Sequence, residues 1–206
     1  MAANDIGLKN INHRIILDLI PEGSHVLDLG CGSGELLSAL TRNKKVAGQG
    51  VEIDENRVIE CLKKGLSIIQ GNIDEGLKEY PDHSYDYVIM NETLQSVYHT
   101  EFVLSEMLRV GGRALVGIPN FAEWRIRMTL GFTGTLPVTK VFNAEWYNTP
   151  NIRLVTVKDF RKTCGKMGFK ILKEFFTAKN RHLPLPFRCR PNLFCENALF
   201  LIEKQI

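Results

Sequence analysis

The chain has 206 residues, 44% of them hydrophobic and 24% charged, enough to bury one α/β core and too few for two full domains. Its 26 basic and 23 acidic residues leave a net charge of +3 spread along the sequence, which demands neither a nucleic acid nor an anionic membrane as partner. The five cysteines, Cys31, Cys61, Cys164, Cys189 and Cys195, form no CxxC pair and no cluster with histidine at metal-ligand spacing, so neither a zinc site nor a disulfide framework is indicated.

Residues 1–10 carry acidic and polar side chains where a signal peptide needs a basic start and an apolar core, and no stretch approaches membrane-spanning length. The expectation is a soluble, cytoplasmic protein. Leu8, Ile11, Ile15, Ile16, Leu19 and Ile20 recur at helical spacing before Pro21, which predicts an opening amphipathic helix. From Ser24 short apolar runs alternate with helical stretches. Strands are predicted at 25–29, 47–53, 66–70, 85–90 and 113–118, and helices at 35–41, 55–64, 74–80 and 101–110. Such alternation means a parallel sheet with helices on both faces.

The last third changes character. Residues 119–153 read as irregular and rich in aromatics (Phe121, Trp124, Phe132, Phe142, Trp146, Tyr147), with Pro137 and Pro150 interrupting any long helix. A segment of that length is usually a lid or a binding surface. A helix opened by Thr156 and Asp159 runs to Met167 and stops at Gly168. Two closing strands, 169–176 and 198–202, are joined by a basic, proline-containing loop at 179–191. The chain is read as one domain over 1–206 with an insertion at 119–153.

The chemistry is concentrated in Asp28-Leu29-Gly30-Cys31-Gly32-Ser33-Gly34, where a strand ends and a helix begins. Gly30, Gly32 and Gly34 permit backbone angles closed to other residues and let a ligand approach the main chain. The helix starting near Glu35 points free N–H groups at that ligand, which suits a carboxylate. The spacing is tighter than the G-x-G-x-x-G of dinucleotide binders, which disfavours a nicotinamide-dependent oxidoreductase. Asp28, two places before the first glycine, can hold an ammonium group, so the loop suits an amino-acid moiety better than a pyrophosphate.

Glu52 ends the second strand about 20 residues past the glycines, where a carboxylate can accept both hydroxyls of a ribose. Its neighbours Val51 and Ile53 point the other way on a strand, which favours Glu52 over Asp54 for that role. Asn72 and Ile73, ending the third strand, are placed for the edge and face of an adenine. Asn91 and Glu92 follow the fourth strand at the mouth of the same crevice.

Together these strand ends resemble the class I S-adenosylmethionine-dependent methyltransferases. The resemblance implies a Rossmann-like, mostly parallel seven-stranded sheet. It also implies that the loop holds the methionine part of S-adenosylmethionine or S-adenosylhomocysteine, and that the acid ending strand two holds the ribose. The residue ending strand three, usually Asp, reaches the adenine amino group; here it is Asn72, whose amide oxygen still accepts a hydrogen bond without the charge. The cofactor-binding set on this reading is Asp28, Gly30, Cys31, Gly32, Gly34, Glu52, Ile53, Asn72, Ile73 and Asn91.

A closer resemblance, to the MetW family of methionine biosynthesis proteins, covers almost the whole chain. It is carried by His25 to Gly32, Gly50 to Asp54, Ile69 to Asn72, Thr93-Leu94-Gln95, Pro119-Asn120-Phe121-Ala122-Glu123-Trp124-Arg125-Ile126-Arg127 and Glu145-Trp146-Tyr147-Asn148-Thr149-Pro150-Asn151-Ile152, of which the last two are the distinguishing marks. The resemblance implies a role beside a homoserine O-acyltransferase, which such proteins bind and activate. It implies no particular methyl acceptor.

Methyl transfer asks little of a protein beyond alignment of donor and nucleophile, so the lack of an evident base is uninformative. Glu92, Tyr98 and His99 are the candidates near the crevice, each with a bland reading as a cap or solvated side chain. His13, His25, His83 and His182 lie on separate elements and are assigned nothing. Trp124, Arg125, Arg127, Trp146 and Tyr147 are of the residue types that anchor protein interfaces, and partner docking is the leading expectation for them. Two function classes stay open: a ligand-binding regulator of an acyltransferase, and a methyltransferase acting on a small molecule.

Overall fold

The computed structural model describes residues 8–139 and 144–205; Phe142 and the first seven residues fall outside them. The opening helix α1 spans Ile11–Leu19, narrower than its apolar pattern, because the Asn10 side chain accepts from Asn12 N at 2.8 Å and fixes the start. The alternating region then follows in order: β1 (His25–Leu29), α2 (Glu35–Lys44), β2 (Ala47–Glu52), α3 (Glu55–Lys63) and β3 (Ser67–Gln70). After β4 (Tyr85–Asn91) come α4 (Thr100–Val110) and β5 (Gly111–Pro119).

The helix expected at 74–80 is absent. A 3₁₀ turn at Ile73–Glu75 ends at Gly76, whose φ of 88° no right-handed helix can continue. The following stretch is held from α4: Leu77 N donates to Glu106, and Arg109 donates to the carbonyls of Leu77 and Tyr80. The insertion also departs from its reading as irregular. Helix α5 spans Trp124–Thr133, started by Glu123, which accepts from Arg125 N at 2.9 Å. It buries Ile126 alone and leaves Met128, Leu130 and Phe132 exposed, so no apolar stripe marks it in the sequence.

After α6 (Val157–Lys166) and β6 (Phe169–Ala178), the segment read as a plain basic loop contains β7 (Arg181–His182), α7 (Leu185–Arg188) and α8 (Pro191–Phe194). The last strand, β8, spans Asn197–Lys204. The sheet has eight strands in the order β3-β2-β1-β4-β5-β8-β6-β7; the two-residue β7 accounts for the difference from the expected seven. The first five are parallel, while β8 runs antiparallel between β5 and β6.

Strand alternation sorts the core into two layers. Leu27, Val88, Met90, Val116 and Phe200 face α4 and α6, while Val26, Ile89, Leu115 and Leu199 face α1 and α2. No helix among the described residues is long and apolar enough to cross a membrane.

Candidate ligand site at the strand tips

The order β3-β2-β1-β4-β5 reverses direction between β1 and β4, and in open parallel sheets the crevice at such a switch is where ligands bind. A cavity of about 460 Å³ occupies it. Gly30, Glu52, Ile53 and Ile73 line it, together with Glu92, Thr93 and Gln95 from the stretch after β4. Pro119 at the end of β5, Asn197 at the start of antiparallel β8, and Pro150 and Asn151 from the insertion complete the wall.

The glycine loop is built tightly. Gly30 and Cys31 both donate their N–H to the Val51 carbonyl, at 2.8 and 3.2 Å, locking the loop to the end of β2. A Cβ on Gly30 would stand 2.5 Å from Thr93 Cγ2, and the residue has a φ of 69°, so no side chain is tolerated there. Gly32 is the opposite case: its φ is 58°, yet a Cβ there would meet nothing within 4 Å, which leaves open space above its backbone. At Gly34, the N-cap of α2, no side chain caps the helix, so the first-turn N–H groups keep their capacity for an anionic ligand group.

Glu52 is 5% exposed and serves as the clasp of the loop. One carboxylate oxygen accepts from Gly32 N at 2.8 Å, the other from Ile53 N at 2.9 Å and Asp54 N at 3.0 Å. Of roughly four acceptor positions on a carboxylate, three are occupied, so gripping both ribose hydroxyls requires release of one of these N–H groups. Asp54 is committed elsewhere, capping α3 through Asn56 N and Arg57 N. Asp28 is buried beneath the loop, and burial first, then the nearby charge of Glu52, push its pKa up to about 7. The Cys31 thiol, raised strongly by its burial, faces inward with Cys61 and offers no nucleophile.

Of the ten expected ligand residues, Gly30, Glu52, Ile53 and Ile73 line the cavity; Asp28, Cys31, Gly32 and Gly34 belong to the adjoining loop without lining it, and two others are engaged elsewhere. Asn72 is exposed and does not line the cavity; its oxygen accepts from Asp74 N at 3.1 Å and its amide donates to Glu75 at 3.4 Å, which makes it a cap for the 3₁₀ turn. Asn91 also turns from the cavity, its oxygen accepting from Asn12 Nδ2 at 3.2 Å. The same Asn12 amide reaches Glu92 at 3.3 Å, and Thr177 donates to the Asn12 oxygen at 3.5 Å. Asn12 is fully buried on the apolar face of α1, and that polar interruption of a stripe containing Ile15 and Ile16 was the available signal for it.

Of the candidate bases, Glu92 alone lines the cavity. It has a φ of 57°, an unusual backbone for a non-glycine residue, and burial pushes its pKa above the ordinary carboxylate value. Tyr98 and His99 do not line it; their backbone N–H groups bind Asp74. Sequence reasoning missed Gln95, Asn151 and Asn197. The first of these is the anchor of the insertion: its carbonyl accepts from Ile152 N and Arg153 N, both at 2.9 Å. No group of His, Cys, Asp and Glu among the described residues could hold a metal ion.

A family model described as "Methionine biosynthesis protein MetW" matches residues 10–202. The chain belongs to the MetW family. The bifunctional methionine biosynthesis protein MetXA/MetW of Rhodopirellula baltica is 34% identical over 98% of this chain, and the chain spans 34% of that protein's length. A demethylmenaquinone methyltransferase of Listeria monocytogenes is 29% identical over 62% of this chain and 60% of its own. A solved chain from the complex between the Haloferax volcanii Trm112 methyltransferase activator and its methyltransferase superposes with a TM-score of 0.68 at 16% identity, covering 95% of this chain and 90% of that one. That superposition shows a shared fold, and the MetW match takes in both the 119–127 and the 145–152 segments.

The five expected interface residues fall in two places. Trp124 and Arg125 line a groove with Leu183, Phe187 and Phe194, while Trp146 lines a separate hollow with Leu136, Pro137 and Leu154. Trp146 and Tyr147 stack edge to face at 5.7 Å and are 73% and 72% exposed. Arg127 is spent locally, on the carbonyls of Ala122 and Asn192.

Proposed function

We propose that this MetW protein binds S-adenosylmethionine or S-adenosylhomocysteine in the switch-point cavity and, in methionine biosynthesis, acts with and activates a homoserine O-acyltransferase. The observation that carries the ligand reading is the loop itself: open space above Gly32, an uncapped α2 terminus beside it, and a buried Asp28 beneath. The α2 terminus suits the ligand's carboxylate, Asp28 its ammonium, and Glu52 the ribose, with Ile53 and Ile73 offering apolar faces to the adenine. Asn72 fits only the rim of this arrangement. The partner reading is supported by the R. baltica relative, whose single chain carries MetXA together with MetW.

Calorimetry with S-adenosylmethionine and S-adenosylhomocysteine tests the first half. Glu52→Ala removes both the ribose acceptor and the loop clasp, and is expected to weaken binding at least tenfold, about 1.4 kcal/mol. Unchanged affinity in a folded variant excludes this site. Assaying acyl transfer by the cognate acyltransferase with and without this chain tests the second half, and stimulation is expected.

One observation favours the alternative of a catalytically active methyltransferase: Glu92, with its raised pKa, lines the same cavity and could take a proton from an oxygen or nitrogen acceptor. S-adenosylmethionine supplies the activated methyl group in that case. Transfer of methyl radiolabel to a small molecule, abolished by Glu92→Gln, is the result that supports this second reading.

A further inference from the structure

Away from the strand tips, a groove of about 480 Å³ runs between the first turn of α5 and the β6–β7 hairpin. Its floor is apolar, made by Trp124, Leu183, Pro184, Phe187 and Phe194. Phe187 and Phe194 pack edge to face at 4.8 Å, yet Trp124 and Phe187 remain 40% and 42% exposed. Large apolar side chains left this accessible in a concave surface mark a place for something else to pack.

The charges around the groove say what. Its two acids, Glu123 and Glu196, are both answered by Arg125, at 3.3 Å each, and Glu196 also accepts from Lys179 N at 2.7 Å. Arg125 in turn stacks over the Trp124 ring at 5.0 Å. Lys179 and Arg181 on the rim form no ion pair with a carboxylate among the described residues, and both are exposed. Arg125, Lys179 and Arg181 against Glu123 and Glu196 leave the groove with a net positive charge above an apolar floor. Its complement is an apolar or aromatic side chain flanked by carboxylates. A second copy of this chain is a poor occupant, because a twofold contact would set Lys179 and Arg181 against themselves.

We propose that this groove, rather than the Trp146–Tyr147 face, is where the partner acyltransferase docks, inserting an acidic segment with an apolar tip between Trp124 and Phe187. The proposal rests on the partner reading above. It assigns to Trp124 and Arg125 a role that ligand binding leaves unexplained, since neither lines the switch-point cavity.

The chain has two tryptophans, so 5-fluorotryptophan labelling gives two ¹⁹F signals, assigned by Trp124→Phe and Trp146→Phe. Unlabelled cognate acyltransferase is titrated in while sedimentation reports complex formation. The Trp124 signal is expected to shift on association. Trp124→Ala should weaken the complex at least tenfold, as a buried aromatic anchor does, and the double reversal Lys179→Glu with Arg181→Glu should weaken it and flatten its salt dependence. Affinity for S-adenosylhomocysteine should be unchanged in all of these. A complex that forms while only the Trp146 signal moves overturns the groove and leaves the partner reading standing. Absence of any complex overturns both. A Trp124 shift that depends on this chain's own concentration, without the acyltransferase, overturns the groove in favour of self-association.

Discussion

At the residue scale the two carboxylates under the glycine loop are in opposite situations. Glu52 is buried but receives three backbone N–H groups, so its charge is compensated where it stands. Asp28 accepts no hydrogen bond from a backbone N–H among the described residues, and burial pushes its pKa up to about 7. Because its folded-state pKa lies above the unfolded value, the native protein binds the extra proton between about pH 4 and 7, and stability contributed by that proton is lost as pH rises through 7. A ligand ammonium does the reverse, favouring the ionised form. Affinity for S-adenosylmethionine is therefore expected to rise between pH 6 and 7.5 with proton release, and Asp28→Asn should flatten that dependence. Calorimetry in two buffers of different ionisation enthalpy counts the proton; a pH-independent affinity in the wild type would remove Asp28 from the ammonium site. Asp28 and Glu52 were legible because strand-end position and loop spacing fix where they lie. The commitments of Asn72 and Asn91 were not, since each depends on a partner, Asp74 or Asn12, that spacing does not specify.

At the element scale the sequence pattern served wherever burial is periodic and lost its grip wherever a segment is held from outside. Each of the five parallel strands lies within two residues of its expected position. The 74–80 stretch carried helical residues, but Gly76 and the Arg109 contacts decided it. Helix α5 lacked any stripe because it packs through Ile126 alone. This contrast predicts stability. Phe200 on central β8 is fully buried and stacks on Phe160 of α6 at 4.5 Å between ring centroids. Phe200→Ala should cost about 3–5 kcal/mol in urea unfolding. Phe132→Ala on α5, at a side chain 79% exposed, should change stability by no more than about 0.5 kcal/mol. A cost below about 1 kcal/mol for the first would mean that β8 is not the keystone between the parallel and antiparallel halves of the sheet.

At the scale of the whole molecule, the cavity is closed by parts distant in sequence, and one of them belongs to the insertion. Pro150 and Asn151 form wall, and the next two residues are pinned to the Gln95 carbonyl in the 3₁₀ turn after β4, with Arg153 also donating to the Tyr98 carbonyl. Gln95 Nε2 in turn donates to the Glu92 carbonyl, so strand end, 3₁₀ turn and insertion form one hydrogen-bonded chain around the cavity mouth. A ligand touching Gly30, Glu52 and Asn151 at once must therefore stabilise the loop and the insertion together. At a hundredfold excess over its dissociation constant, S-adenosylhomocysteine should add about 2.7 kcal/mol of stability. For a chain of this size that raises Tm by roughly 5–11 °C. The gain should not be uniform: amide exchange at Ile152 and Arg153 should slow on binding, because opening the strap then requires breaking ligand contacts as well as the two bonds to Gln95. Hydrogen-exchange mass spectrometry on a peptide spanning 149–155 measures this directly. Slowing confined to the glycine loop, with the strap unchanged, would show that the insertion is a bystander to the ligand, and that any signal it passes to a partner must start elsewhere.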